Sequence, residues 1–117
     1  MKMSRSTLRV MNVVWENECA SAKDIAEKLK MLYGWNKNTS YTVINQCVAK
    51  GLIQRSEPGF TCSALVSREI VQIEELHMVM DDVFNGSPKL LFSTLLDSKA
   101  LNSDDIEELE RLISRMK

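Results

Sequence analysis

The sequence predicts a mainly α-helical chain with one small β-hairpin, set between three short helices and a second, wholly helical region. Three observations carry this. Apolar residues recur at helical spacing in separate stretches along the 117 residues. Ser, Asn and Gly stand at the edges of those stretches, where helices start and stop. The helical period is lost once, after Gly51, where short strand-like runs flank Pro58-Gly59.

The first helix is read over Ser6 to Trp15, with Leu8, Met11 and Val14 or Trp15 on one face and Ser4 or Ser6 as its cap. Glu16 to Ala20 has no apolar period and reads as a turn. Ser21-Ala22-Lys23-Asp24 resembles a capping box, followed by Ala22, Ile25, Ala26 and Leu29 on one face of a helix expected to reach Met31. Gly34 interrupts the pattern, Asn36 is a good cap for a third helix from Lys37 to Lys50, and Gly51 supplies its left-handed stop. Val43, Ile44, Cys47 and Val48 form the apolar stripe of that helix. Its other face holds Asn38, Thr39, Thr42, Asn45 and Gln46, whereas a merely solvated face more often holds Glu and Lys. Leu52–Glu57 and Phe60–Leu65 then read as two strands of a hairpin. Three helices followed by a hairpin is the order of a winged helix-turn-helix, whose third helix enters a DNA groove with the wing beside it.

The second half is all-helical. Ser67 caps a long helix with Ile70, Ile73, Leu76, Met80 and Val83 on one side, ending at Asn85-Gly86. Ser87-Pro88 restarts the chain as a helix, with Leu90, Leu91, Leu95 and Leu96 apolar. Asn102 begins the last helix, Leu101 and Ile106 occupy the positions of a hydrophobic staple, and Ile106, Leu109, Leu112, Ile113 and Met116 make the stripe. About 50 residues in this arrangement cannot cover their own apolar surface. Two copies can, so a homodimer is expected through Ile73, Leu76, Met80, Val83, Leu91, Leu95, Ile106, Leu109, Leu112 and Ile113. The competing arrangement folds the stripes onto the chain's own winged helix. The expected division is 1–66 for the winged helix and 67–117 for the all-α dimerisation arm.

Charge follows the same division. Residues 1–62 hold nine basic and five acidic side chains, and residues 63–117 hold six and eleven. A basic head and an acidic arm, inside a chain of net charge −1, suggest that one end alone meets a polyanion. The chemical inventory points away from catalysis. There is one histidine, His77, and the three cysteines, Cys19, Cys47 and Cys62, match neither a zinc ribbon nor a redox pair. No phosphate-cradling glycine loop or HExxH occurs, so neither an enzyme nor a metal or organic cofactor is expected. No apolar run approaches the roughly 18 residues of a bilayer span, and Met1 to Arg5 lead into no signal-peptide core. A cytoplasmic location without membrane contact is expected.

Several stretches together resemble the penicillinase-repressor family of winged-helix proteins. Leu8 to Trp15 resembles its first helix; Trp35, Thr39, Thr42 and Lys50-Gly51 its recognition-helix pattern; and Ala64 to Glu69 its junction between wing and arm. Phe84 to Ser87 and Asp104 to Leu109 resemble its C-terminal helices. The resemblance implies a homodimeric transcriptional repressor on a palindromic operator, controlling resistance or copper-transport genes. Three positions depart from the pattern. Gln46 stands where the family usually has Arg, Phe60 follows Gly59 where a basic residue is usual, and no cysteine follows Cys62, which disfavours copper sensing. In the antibiotic-responsive branch the resemblance also implies a regulatory protease that cuts an Asn-Phe bond in the arm. Here the matching residues are Thr94-Leu95.

The DNA-facing candidates follow from spacing. Thr39, Thr42 and Gln46 lie at i, i+3 and i+7, on one helix face, where Thr methyls suit thymine and Gln46 suits adenine. Lys37, Asn38 and Tyr41 near the helix start, and Arg55 on the hairpin, are candidates for phosphate oxygens. Two competing functions remain at this level: a winged fold that docks a partner protein, and a repressor released by a small molecule held in an apolar pocket between the arms.

Overall fold

A computed structural model of the chain describes residues 3–117, and its helices begin where side-chain caps satisfy the free backbone N–H groups of the first turn. The Ser4 hydroxyl accepts from the Thr7 N–H at 3.1 Å, and α1 runs Arg5–Glu16. Ser21 caps α2 (Ala22–Tyr33) through the Asp24 N–H at 3.1 Å. Asn36 caps α3 (Lys37–Ala49) through the Thr39 N–H at 2.8 Å. Left-handed Gly34, at φ 71°, ends α2 two residues beyond the expected Met31. The extra residues, Leu32 and Tyr33, are exposed and so add nothing to an apolar stripe.

Helices α1, α2 and α3 pack pairwise around one core. Val10, Met11, Val14, Ile25, Leu29, Ile44 and Cys47 are all buried there. Ser40, fully buried on the inner face of α3, has a hydroxyl with no hydrogen-bond partner among the described residues.

The sheet has three strands rather than the two of a bare hairpin. Strand β1 (Ala20–Ser21) pairs with β3 (Thr61–Ala64), which pairs with β2 (Ile53–Ser56), all antiparallel, in the order β1-β3-β2. The turn read over Glu16 to Ala20 therefore ends in a strand. Two residues are too short to show a period. The hairpin's own turn takes four residues, Glu57 to Phe60, with Gly59 at φ 87° and Phe60 at φ 48°. The Phe60 carbonyl accepts the Ala22 N–H at 2.9 Å, tying this turn to the first residue of α2.

Helix α4 (Arg68–Val83) starts with Ser67 accepting the Ile70 N–H at 3.2 Å. Its first turns are held by the winged core. The Trp15 indole N–H donates to the Val66 carbonyl at 2.9 Å, the Arg68 guanidinium pairs with Glu16 at 2.8 Å, and Val71 is buried. By compactness the chain divides within α4, into a first unit ending at Glu75 and a second over Leu76–Lys117. The second unit contains α5 (Pro88–Asp97), capped by Ser87, and α6 (Ser103–Arg115). Asn102 and Asp105 cap α6 reciprocally, at 2.8 and 3.1 Å. No residue of α5 or α6 is buried.

The three cysteines are free thiols, with Cys19 exposed and Cys47 and Cys62 buried. Burial pushes the Cys47 thiol up to about 11 and raises Cys62 in the same direction. Iodoacetamide at about pH 8 should therefore add one label, at Cys19, to the native protein, and all three only after unfolding, as read by intact mass. Because the unfolded Cys47 thiol ionises first, as the pH rises above its ordinary 9.0, stability should fall between there and about 11. Urea midpoints across that window measure the loss.

Candidate nucleic-acid interface

The geometry of α3 decides which side chains can reach a ligand. Ser40, Val43, Ile44 and Cys47 are buried against the core. The opposite side carries Lys37, Asn38, Thr39, Thr42, Asn45 and Gln46, all exposed. Thr39, Thr42 and Gln46 are thereby brought to one outward face. No carboxylate lies within α3. Such a surface offers hydroxyl, amide and methyl contacts to base edges without repelling phosphates.

Tyr41 sits differently. It is half-buried and meets the wing edge-on, with its ring centroid 6.1 Å from that of Phe60 at 71°. The Lys37 ammonium lies 5.8 Å from the Tyr41 ring, and the Arg55 guanidinium lies 3.7 Å from the Phe60 ring. Arg55 is also paired with Glu57, its Nε 2.7 Å from the carboxylate, whose other oxygen accepts the Phe60 N–H at 3.1 Å. A chain of contacts thus runs from the start of α3, through Tyr41 and Phe60, to Arg55 and Glu57 at the wing tip. Of the seven DNA-facing candidates, five lie open on α3, Tyr41 packs against the wing, and Arg55 lies exposed on the wing, turned onto its own hairpin.

Phe60 was absent from the sequence-derived candidates, although it joins helix and wing. Its role depends on a left-handed backbone that brings residues of the turn together, and no period signals that. Lys23 and Lys30 were also missed. Both are exposed on α2, and they share a cleft with Lys37 and Trp35 at the start of α3. Trp35 itself is half-buried against the core, 6.0 Å from the Tyr33 ring.

The Glu57 carboxyl is held below the usual carboxylate range, chiefly by its hydrogen bond from Arg55 and also by the Phe60 N–H. The pairing therefore persists at neutral pH and is lost as pH falls through that lowered value. Among the described residues, no three His, Cys, Asp or Glu side chains converge to hold a metal ion. No helix among them is long and apolar enough to cross a membrane.

A sequence model described as "Penicillinase repressor" matches residues 3–115. The methicillin resistance regulatory protein MecI of Staphylococcus aureus (strain N315) is 27% identical over 116 residues, covering 97% of this chain and 94% of that protein. The penicillinase repressor of Staphylococcus aureus is 22% identical, covering 97% and 92%. Among solved structures, the DNA-binding domain of the repressor BlaI superposes with a TM-score of 0.54 at 20% identity, over 57% of this chain and 84% of that one. A mutant MarR from E. coli, complexed with operator DNA, gives 0.52 at 14% identity, over 98% and 76%. These structures share the winged-helix fold.

The wing geometry generates a test. Glu57→Gln should release Arg55 from its neutralising partner. DNA binding should then tighten, and the slope of log K against log salt should steepen by about 0.9, the increment of one phosphate contact. Gel-shift titrations of both proteins across a salt series measure it. An unchanged slope would mean that Arg55 stays on Phe60 and takes no phosphate.

Proposed function

The chain belongs to the penicillinase repressor family of winged-helix DNA-binding transcriptional regulators, and from that premise we propose that it acts as a homodimer on a palindromic operator, blocking transcription of a resistance or stress operon. The observation that carries this reading is α3, which is buried on one side and presents Thr39, Thr42 and Gln46 on the other. Thr39 and Thr42 offer methyl groups to thymine, and Gln46 offers a bidentate amide to adenine. Lys37 and Asn38 take phosphate oxygens beside the first turn, where the N–H groups of α3 also favour an anion. Tyr41 sets the wing against α3, and Arg55 is the wing's candidate for a phosphate oxygen once it leaves Glu57.

Dimerisation is supported by the second unit. Its helices carry regular apolar stripes, yet Leu76, Val83, Leu95, Ile106, Leu112 and Ile113 are all exposed in the single chain. Apolar side chains left in water at that density mark an interaction surface. The two-fold axis that a homodimer implies places two α3 helices in successive major grooves, roughly 34–36 Å or a multiple of that apart. The domain division proposed for this function sets the winged helix at 1–66 and the dimerisation arm at 67–117. The operon class is argued from MecI and the penicillinase repressor of S. aureus, whose names place them in methicillin and penicillin resistance.

Two variant sets separate the tasks of head and arm. Thr42→Ala and Gln46→Ala should each cost about 1–3 kcal/mol of operator affinity while leaving the sedimentation coefficient unchanged. If Gln46→Ala binds every sequence as tightly as wild type, Gln46 reads no base. Leu109→Asp and Ile113→Asp sit outside any buried core and should leave helicity intact. They should give monomers by sedimentation equilibrium and weak DNA binding by gel shift. A dimer that survives both Asp variants would overturn the assignment of the arm. A salt-independent affinity for DNA would instead favour a wing that docks protein.

A further inference from the structure

We propose that the cleft between α2 and the start of α3 is a binding site for a small amphipathic anion, a carboxylate on one or two aromatic rings, and that filling it releases DNA. The cleft has a volume of about 400 Å³, within the range of small-molecule sites. Lys23, Ala26, Glu27 and Lys30 line it from α2, at spacings that put them on one helix face. Trp35, Lys37 and Tyr41 line it from the turn and α3.

Its chemistry is divided. Ala26 is buried and the Trp35 and Tyr41 rings are half-buried, so the wall nearest the core is apolar and aromatic. The rim carries the ammonium groups of Lys23, Lys30 and Lys37 against the single carboxylate of Glu27. The ion pairs described in the first unit, Arg55 with Glu57 and Arg68 with Glu16, engage none of these lysines. An inorganic phosphate or a DNA phosphate would use the rim and leave the rings idle. A neutral aromatic would use the rings and leave the cations idle. An aromatic carboxylate uses both, through aromatic contact and charge-assisted hydrogen bonds.

The link to regulation rests on the repressor reading above. Lys37 and Tyr41 form walls of the cleft and also stand among the residues assigned to phosphate and wing contact. A ligand that engages them competes with DNA for the same groups, and the competition is reciprocal. A small-molecule site on the head differs from the pocket between the arms that the sequence suggested.

The test uses 2-naphthoate as the probe, with naphthalene-2-carboxamide as its uncharged counterpart, titrated calorimetrically into the full chain. The expected result is saturable binding of the carboxylate at one site per chain, weakened at least about tenfold for the carboxamide and for the Lys23→Gln/Lys30→Gln variant. Both lysines are exposed on α2, so this variant should keep the wild-type circular dichroism. Saturating 2-naphthoate should also weaken the gel shift of wild type on its upstream DNA about tenfold. No saturation by roughly 10 mM probe, or binding indifferent to the charge on either side, overturns the site. Lysine-dependent binding with unchanged DNA affinity overturns the release. Failure of ligand-free wild type to shift DNA overturns the repressor reading instead, and the calorimetry still decides the site.

Discussion

The rotation of α3 about its own axis is the constraint on which the rest depends. Ile44 and Cys47 are fully buried, and with Ser40 and Val43 they lock one side of the helix into the space between α1 and α2. At 3.6 residues per turn, a slip of one position would turn the helix by about 100° and carry Thr42 or Gln46 into the core. The outward face therefore needs no stabilising interaction of its own. Its Thr, Asn and Gln side chains remain unused by the fold, which is what a recognition surface requires.

A second constraint governs the wing. A hairpin of two four-residue strands is marginal alone. Here it is held at its turn end. Strand β1 pairs with β3, and the turn is fastened by Phe60, whose carbonyl takes the Ala22 N–H and whose ring meets Tyr41. The same contacts draw Arg55 inward, onto Phe60 and Glu57. Stiffening the wing and presenting a free cation from it are opposing demands, and the observed turn favours the first.

Much of the fold was legible because helix ends are locally encoded. Ser21, Asn36, Ser87 and Asn102 cap the helices at the positions their types suggest. Strand β1 was not legible, since two residues carry no pattern and its pairing with β3 joins positions some forty apart in the sequence. The reading face of α3 was legible from the spacing of Thr39, Thr42 and Gln46. The engagement of Arg55 was not, because it depends on the left-handed conformation of Phe60. Lys23 and Lys30 look in sequence like any solvated helix face, and only the fold sets them opposite Lys37. The arm shows the converse case, in which α6 is well capped at its start yet has no fully buried residue within one chain.

The uncharged outer side of α3 has an evolutionary corollary. Exchanges among Thr, Asn, Gln and Ser there alter neither net charge nor the buried side of the helix, so each costs folding no more than about 0.5 kcal/mol of helix propensity. Duplicated copies of such a gene can acquire separate genomic addresses one substitution at a time, while every intermediate still folds.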